Sequence, residues 1–582
     1  MNISSKTMWL AYVAGATLLL PIAACEVRRA DAARLPNVLL VMTDDQGFGD
    51  FSVNGNPHLR TPHVDSLAKQ GVRFDRFYVN SFCAPTRAAL LTGRYPLRCG
   101  VWGVTHNKEC MRSSEVTLGE AFQQAGYQTA CIGKWHNGEQ YPYTPPGQGF
   151  DLFFGFHNGH INNYFDTRLI RGAKPEPTRG YITDVLTDEA LRFIESNRQR
   201  PFFCYVAYNA PHSPYQIPDR YYDRFAQQGF DPAVAAFYGM CENIDDNMGR
   251  LLETLERLDL ADDTIVLFLT DNGGTAGVKI YNAGMRGGKT SVHEGGCRVP
   301  LFVRWPGKIA GGREVPQLAS HIDIYPTLLD LCQITAPAGP PLDGVSLRPL
   351  LTAGEVDWPE RTLFTHNPIS ADNRYPGAVR TSRFRLVREI RGPQGGSSAR
   401  PNDQQASAWQ LYDMQVDPGE KRDLANERPE IVESLSAQYE NWIDETHREP
   451  LERLPIPVGY EQENPVTLHA PQAFFEGELR FYSGPGFAHD WLTNWTATDE
   501  RVWFDVDVVK AGEYELALKY AVSSETSGPN VRVSVGETQG DAVPLKVVPA
   551  PLIPLPHRDE RGKQRYRNRE WSRQSLGNLS LG

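Results

Sequence analysis

The sequence predicts an α/β protein: a mixed, mostly parallel sheet covered by helices, with a smaller α+β region and an added β-sandwich behind it. Three observations carry this. Four apolar runs alternate with helix-forming stretches, the pattern of parallel strands buried on both faces. Each run stops abruptly in a polar cluster, as strands do at the ligand-binding rim of an open α/β sheet. After residue 462 the patterning changes to short alternating segments, which predict antiparallel strands.

The chain has 582 residues, too many for one ordinary core, so two or three domains are expected. Hydrophobic residues make up 41% and aromatic residues 10%, as in a soluble globular protein. A net charge of −11 argues against a nucleic-acid partner, and an anionic substrate would need a local basic site.

Residues 1–32 predict an export signal: Lys6, then a short apolar run from Met8 to Leu20, then Pro21. The run is too short to span a bilayer comfortably. Two cleavage readings compete. Ile22-Ala23-Ala24-Cys25 resembles a bacterial lipoprotein box, which would lipidate Cys25 and leave it as the membrane anchor. Ala30-Asp31-Ala32 fits ordinary small-x-small cleavage. The closeness of Cys25 to the apolar run favours the lipoprotein. The expected location is therefore periplasmic, outer-membrane-anchored or secreted. Nine cysteines without paired spacing predict no disulfide framework.

Asn37 to Thr43 is the first apolar strand and ends in Asp44-Asp45-Gln46-Gly47. A helix follows from Pro62 to Gln70, with Thr61 before it and proline at its first turn. Val72 to Tyr78 predicts a strand leading to Cys83-Ala84-Pro85-Thr86-Arg87, a loop entering a helix through Leu91. That puts Cys83 at or just before a helix N-terminus, where backbone N–H groups stabilise anionic oxygen.

Thr117 to Ala125 reads as a helix closed by Gly126, and Thr129 to Gly133 as a strand running into Lys134-Trp135-His136. A helix from Ile182 to Glu195 precedes the strand Phe202 to Tyr208, which ends in Asn209-Ala210-Pro211-His212. A long helix covers Pro232 to Leu258, and the strand Thr264 to Thr270 ends in Asp271-Asn272-Gly273-Gly274. Topology should bring these clusters and Cys83 to one rim.

Asp323 to Cys332 is a further helix, and Ala336 to Pro341 reads as a turn-rich linker. The first domain is thus expected over 33–342. A smaller α+β subdomain follows over 343–448, with strands near Ala378 to Arg388 and at Trp409 to Asp413, then a helix from Pro429 to Thr446. Residues 449–461, with Pro450, Pro455 and Pro457, form a second linker. The expected sandwich occupies 462–582, and its composition resembles carbohydrate-binding modules. Leu576 to Leu581 reads as a turn entering a strand, so the last strand is expected to be incomplete.

The stretch Cys83, Pro85, Thr86, Arg87, Thr92, Gly93, Arg94 resembles the signature of the cysteine-type type I sulfatases, of the alkaline phosphatase-like superfamily. Seven specified positions, each matched by chance roughly once in ten to twenty, make coincidence improbable. Gly133-Lys134-Trp135-His136, Arg286-Gly287-Gly288-Lys289 and Glu294-Gly295-Gly296-Cys297-Arg298-Val299-Pro300 also match the family. So do Leu411-Tyr412-Asp413 and Asp417-Pro418-Gly419-Glu420, and the resemblance covers about Leu35 to Arg448.

The resemblance implies that Cys83 is oxidised to formylglycine by a formylglycine-generating enzyme, and that its hydrated aldehyde attacks sulfur. The second hydroxyl of the diol then expels sulfate, so water never attacks the ester. It implies Ca²⁺, with Mg²⁺ as second choice, held by Asp44, Asp45, Asp271, Asn272 and position 83. The all-oxygen donor set agrees with such hard cations and disfavours zinc. Arg87 is implied to hold the diol and the metal ligands. Lys134 is implied to contact sulfate, His136 to accept the proton on collapse of the hemiacetal, and Asp271 to be a further candidate base. His212 and Lys289 are implied to bind sulfate, one of them protonating the leaving oxygen.

The export signal and the trailing module favour a sulfated carbohydrate as substrate. The competing readings are a phosphate or phosphonate ester hydrolase of the same fold, and a non-catalytic glycan-binding protein. Two positions depart from the family pattern: Thr86 stands where Ser is commoner, and Asn137 stands where Leu is frequent, which predicts a more polar rim. Gly149 to Tyr164, with His157, His160 and Asn162, is expected near the site.

Overall fold

The computed structural model describes residues 35–354, 356–367, 370–391, 405–522, 529–536, 538–547, 552–553, 568–569 and 571–582. Both cleavage readings, including Cys25, lie outside the described residues. Residues 35–582 belong to one compact unit. No described helix is long and apolar enough to cross a membrane.

A ten-stranded sheet organises the protein. Its strands are β1 (Asn37–Thr43), β2 (Val72–Tyr78), β3 (Gln128–Lys134), β4 (Leu152–Phe156) and β5 (Arg168–Arg171), followed by β6 (Lys174–Pro177), β7 (Phe202–Ala207), β8 (Thr264–Thr270), β9 (Arg298–Arg304) and β10 (Arg313–Ser320). They lie in the order β10-β2-β9-β8-β1-β7-β3-β4-β5-β6. The four apolar runs that end in polar clusters, β8, β1, β7 and β3, are adjacent and parallel, so their polar ends meet along one edge. β9 inserts antiparallel between β8 and β2, and β5 and β6 complete an antiparallel margin.

Every residue of β1 is buried, which explains its unbroken apolarity. Val38, Leu40 and Met42 face one apolar layer, and Leu39 and Val41 face the other. The first layer takes α2 (Cys83–Thr92), α3 (Leu118–Gln124) and α6 (Ile324–Leu331), through residues such as Leu90, Phe122 and Leu328. The second takes α1 (Pro62–Gln70), α4 (Ile182–Ser196) and α5 (Pro232–Arg257), through Leu67, Leu186 and Leu251. Each such Leu contributes about 1.5–3 kcal/mol on burial.

β4 to β6, β9 and β10 escape the sequence reading. β9 carries Pro300 and is bounded by arginines, and β5 and β6 are short and mostly polar. The smaller region is a four-stranded antiparallel sheet of β11 (Leu363–His366), β12 (Gly377–Arg380), β13 (Phe384–Arg388) and β14 (Gln410–Asp413), with α7 (Pro429–Thr446) against it. Val379, Leu386, Leu411, Tyr439 and Ile443 share one core with Ala89, Leu97 and Ile322 of the larger region.

Beyond residue 455 the described strands pair two by two, where the alternation predicts a sandwich. Leu576 to Leu581 is not a turn entering a strand: it belongs to a ten-residue strand, Ser572–Leu581, paired along its length with Gly512–Tyr520. The eight described cysteines are all free and buried.

Candidate active site

Cys83 is the first residue of α2, so the helix begins at the cysteine, two residues earlier than Pro85 suggests. Proline at the third position is tolerated because the first-turn N–H groups have no intrahelical acceptor. Its thiol is buried, and burial raises its pKa against the pull of Lys134 and Lys289. The second half of the signature is structural. Thr92 Oγ1 donates to the Ala88 carbonyl at 2.8 Å, and Gly93 ends the helix at φ 70°. Arg94 Nη1 then donates to both Glu115 oxygens at 2.7 and 2.8 Å.

The ends of β1 and β8 supply the acids. Asp44, Asp45, Asp271 and Asn272 are all buried. Asp45 sits at φ 70°, and its N–H donates to Asp271 Oδ1 at 3.1 Å, locking the two strand ends together. Asn272 Nδ2 donates to Asp45 Oδ1 at 2.9 Å. Cys83, Asp44 and Asp271 each offer a ligand atom, all within 4.8 Å of one another.

Three cations offset three carboxylates. Arg87, one helical turn from Cys83, gives Nε and Nη2 to Asp271 Oδ2 at 3.1 and 2.8 Å, and Nη1 to the Lys134 carbonyl at 3.0 Å. Lys134 Nζ lies 2.6 Å from Asp44 Oδ2, and Lys289 Nζ lies 2.6 Å from Asp45 Oδ1. Burial alone would raise the Asp45 pKa, but Lys289 and His212 hold it well below the usual range. Asp271 is pushed up to about 6 by burial and by Asp44, in spite of Arg87.

Both catalytic-candidate histidines have their tautomers set by carbonyls. His136 Nε2 lies 2.8 Å from the Val104 carbonyl, so Nε2 carries the proton and the buried Nδ1, without a partner, is left as a base. His212 Nδ1 lies 2.6 Å from the Ser213 carbonyl, and its Nε2 faces Asp45 Oδ2 at 3.7 Å. Burial, then Lys289, lowers the His212 pKa to about 3.

These donors fit a hard divalent cation. Asp44 Oδ1 and Asn272 Oδ1 are buried without a hydrogen-bond partner, in a cluster whose other donors are carboxylates. With the three carboxylates already balanced, a dication would make the site net positive, which suits an anionic ester.

The profile of the family described as Sulfatase matches residues 36–334. The chain belongs to the sulfatase family. A second profile, N-sulphoglucosamine sulphohydrolase, C-terminal, matches residues 288–447. This sulfatase is 34% identical over 380 residues to the N-acetylgalactosamine-6-sulfatase of Mus musculus, covering 60% of this chain and 72% of the relative. It is 31% identical over 500 residues to the uncharacterized sulfatase YdeN of Escherichia coli (strain K12), covering 70% of this chain and 85% of the relative. Among solved structures, Ps i-CgsB in complex with k-i-k-neocarrahexaose aligns with TM-score 0.62 and 27% identity, over 70% of this chain and 93% of that one. The protein is accordingly a sulfuric ester hydrolase.

The strand ends and α2 thus bring Asp44, Asp45, Cys83, Arg87, Lys134, His212, Asp271, Asn272 and Lys289 together, with the His160 ring beside that of His212. One expectation is overturned. Asn137 does not line a polar rim: it is fully buried, and its Nδ2 donates to the Ala84 carbonyl at 3.0 Å, bracing the first turn of α2.

Sequence reasoning missed the support behind Lys289. The loop carrying it packs on the β8 end, with Lys289 N–H donating to the Gly274 carbonyl at 3.0 Å and Gly273 N–H to the Gly296 carbonyl at 3.0 Å. A Cβ on Gly273 would stand 2.0 Å from the Gly295 carbonyl oxygen, so glycine is required there. Glu294 and Glu420 anchor that loop to the smaller region. Glu420 accepts from the Glu294 N–H at 2.9 Å, and His293 Nδ1 and Arg385 Nε lie 3.0 and 3.3 Å from its Oε1. Arg385 Nη1 also donates to Glu294 at 3.2 Å. Glu294 and Glu420 each stand in a family-like stretch, but nothing local links them.

Proposed function

We propose that this sulfatase removes sulfate from a sulfated carbohydrate, with Cys83 converted to formylglycine and Ca²⁺ bound by Asp44, Asp45, Asp271 and Asn272. The observation that carries this reading is Cys83 at a helix N-terminus, within reach of two buried carboxylates and flanked by Lys134 and Lys289. When present, the hydrated formyl group supplies the attacking hydroxyl and the cation supplies charge neutralisation.

The chain's own residues do the rest. Arg87 fixes Asp271 and favours its ionised form against burial and Asp44. Lys134 and Lys289, held at their carboxylates, offer ammonium groups to the sulfate oxygens. His136 presents an unprotonated Nδ1 to receive a proton. His212 is neutral while the site is empty of substrate. A bound sulfate adds a negative charge that favours its protonated form, the form able to donate to the leaving oxygen.

Export from the cytoplasm agrees with the apolar run at Met8 to Leu20, and a sugar substrate agrees with the glycan-bound structural neighbour. The test is mass spectrometry of the tryptic peptide Phe77 to Arg87 from the native host, followed by turnover on matched sulfate and phosphate esters. Formylglycine at position 83 with preference for sulfate is expected. Unmodified cysteine in active enzyme, or a higher efficiency on phosphate, would overturn the mechanism.

A further inference from the structure

The family profiles end at residue 447, and residues beyond it pack on a loop that borders the site. A short hairpin, Arg480–Phe481 paired with Leu492–Thr493, projects the segment 482–491 over the loop that holds His136. His136 rests on the Val104 carbonyl, and the next three residues are tied down by the C-terminal region. Thr105 Oγ1 donates to the Gly486 carbonyl at 3.0 Å. His106 spans the Pro471 and Pro485 carbonyls at 2.7 and 3.1 Å. Asn107 Nδ2 donates to the Leu454 carbonyl at 2.6 Å.

The hairpin meets the site at a second point. The His489 ring bonds to the backbone of His160, whose own ring stands 5.7 Å from that of His212. His212 in turn faces Asp45 at 3.7 Å. His489 is nevertheless exposed, and it is held at φ 64°, a left-handed conformation uncommon for a residue other than glycine. Phe487, two residues before it, is 52% exposed, and Tyr482 is 43% exposed while stacking on Trp491 at 4.5 Å.

We infer that this hairpin is a specificity element of the active site, with His489 and Phe487 contacting the sugar that carries the sulfate or its neighbour. The inference rests on the carbohydrate reading above. The His489 imidazole beside His160 can hydrogen-bond a sugar hydroxyl. Exposed aromatic faces suit the apolar C–H faces of sugar rings. On this assignment a small aryl sulfate makes less contact with the hairpin than an oligosaccharide does.

The experiment uses the full chain with three probes: 4-nitrophenyl sulfate, sulfated hexasaccharides cut from carrageenan, chondroitin sulfate and heparin, and the corresponding sulfated monosaccharides. Wild-type enzyme should turn over, or be competed by, at least one hexasaccharide more strongly than by its monosaccharide. If no member of the set does so while 4-nitrophenyl sulfate is hydrolysed, the carbohydrate reading fails and this inference with it. Given that preference, H489A and F487A should each raise the hexasaccharide KM or Ki about fivefold to tenfold, leaving kcat/KM on 4-nitrophenyl sulfate within about twofold. An unchanged hexasaccharide constant in both variants overturns the hairpin assignment alone. Equal losses on both probes, with F487Y failing to restore the hexasaccharide, would also overturn it by reducing the hairpin to scaffolding.

Discussion

Arg87 and Asp271 form a wholly buried ion pair, with two guanidinium nitrogens of Arg87 on one carboxylate oxygen at 2.8 and 3.1 Å. The pair ties α2, which bears Cys83, to the end of β8. Removing one partner of such a pair leaves the other charged and desolvated. Arg87→Met is therefore expected to cost about 3–5 kcal/mol in urea unfolding and to abolish turnover. Arg87→Lys should also lose most activity, because one ammonium cannot reproduce the fork. A lysine variant with near-wild-type kcat would sink this account.

Cys83→Ala removes a buried thiol whose only proposed task is chemical. The α2 helix and its packing do not depend on it, and alanine is the best helix former. Folding, read by the melting curve, should be retained while hydrolysis of 4-nitrophenyl sulfate is lost. Substantial residual activity contradicts the nucleophile assignment.

The orphaned oxygens of Asp44 and Asn272 predict metal-linked stability. Chelation should lower the melting temperature, and Ca²⁺ at about 100 times its Kd should return about 2.7 kcal/mol. An Asp44→Asn, Asp45→Asn double variant should lose that response. Identical melting curves with chelator and with Ca²⁺ in the wild type would rule the cation site out.

Gly159 lies against the His136 ring: a Cβ there would stand 2.2 Å from Cε1 and Nε2. Gly159→Ala must push the ring off the Val104 carbonyl. The expected result is a lower kcat with KM nearly kept and only a small loss of stability. Wild-type kcat in this variant would show that the observed ring position does not matter for turnover.

His293 gives a pH-dependent contribution to stability. Burial opposes its charge, but Glu389 at 3.3 Å and Glu420 at 3.0 Å raise its pKa above the ordinary value. A raised folded pKa stabilises fully below the unfolded value of about 6.5, and the gain disappears as pH rises through the folded value. The stability difference between wild type and His293→Gln should be larger at about pH 5.5 than at about pH 8.5. A difference that does not change with pH would remove the charged His293 from the account.

The sequence by itself determined the central parallel strands and the chemistry that sits at their ends. Asn37–Thr43 and Thr264–Thr270 were legible because both faces of each strand are buried, which forces unbroken apolarity, and because polar residues are tolerated only where the strand leaves the core. Cys83 and Arg87 were legible because one helical turn separates them, Lys134 because it ends an apolar strand, and Lys289 only through the family-like stretch Arg286 to Lys289. The tertiary structure alone decided what those groups touch. Lys134 on Asp44, Asn137 under the first turn of α2, Glu420 behind His293 and His489 above His160 are contacts between segments separated by up to several hundred residues. No local pattern encodes them. They follow from the strand order, which places β8, β1, β7 and β3 side by side, and from a buried ion network and a hairpin that close over the same edge.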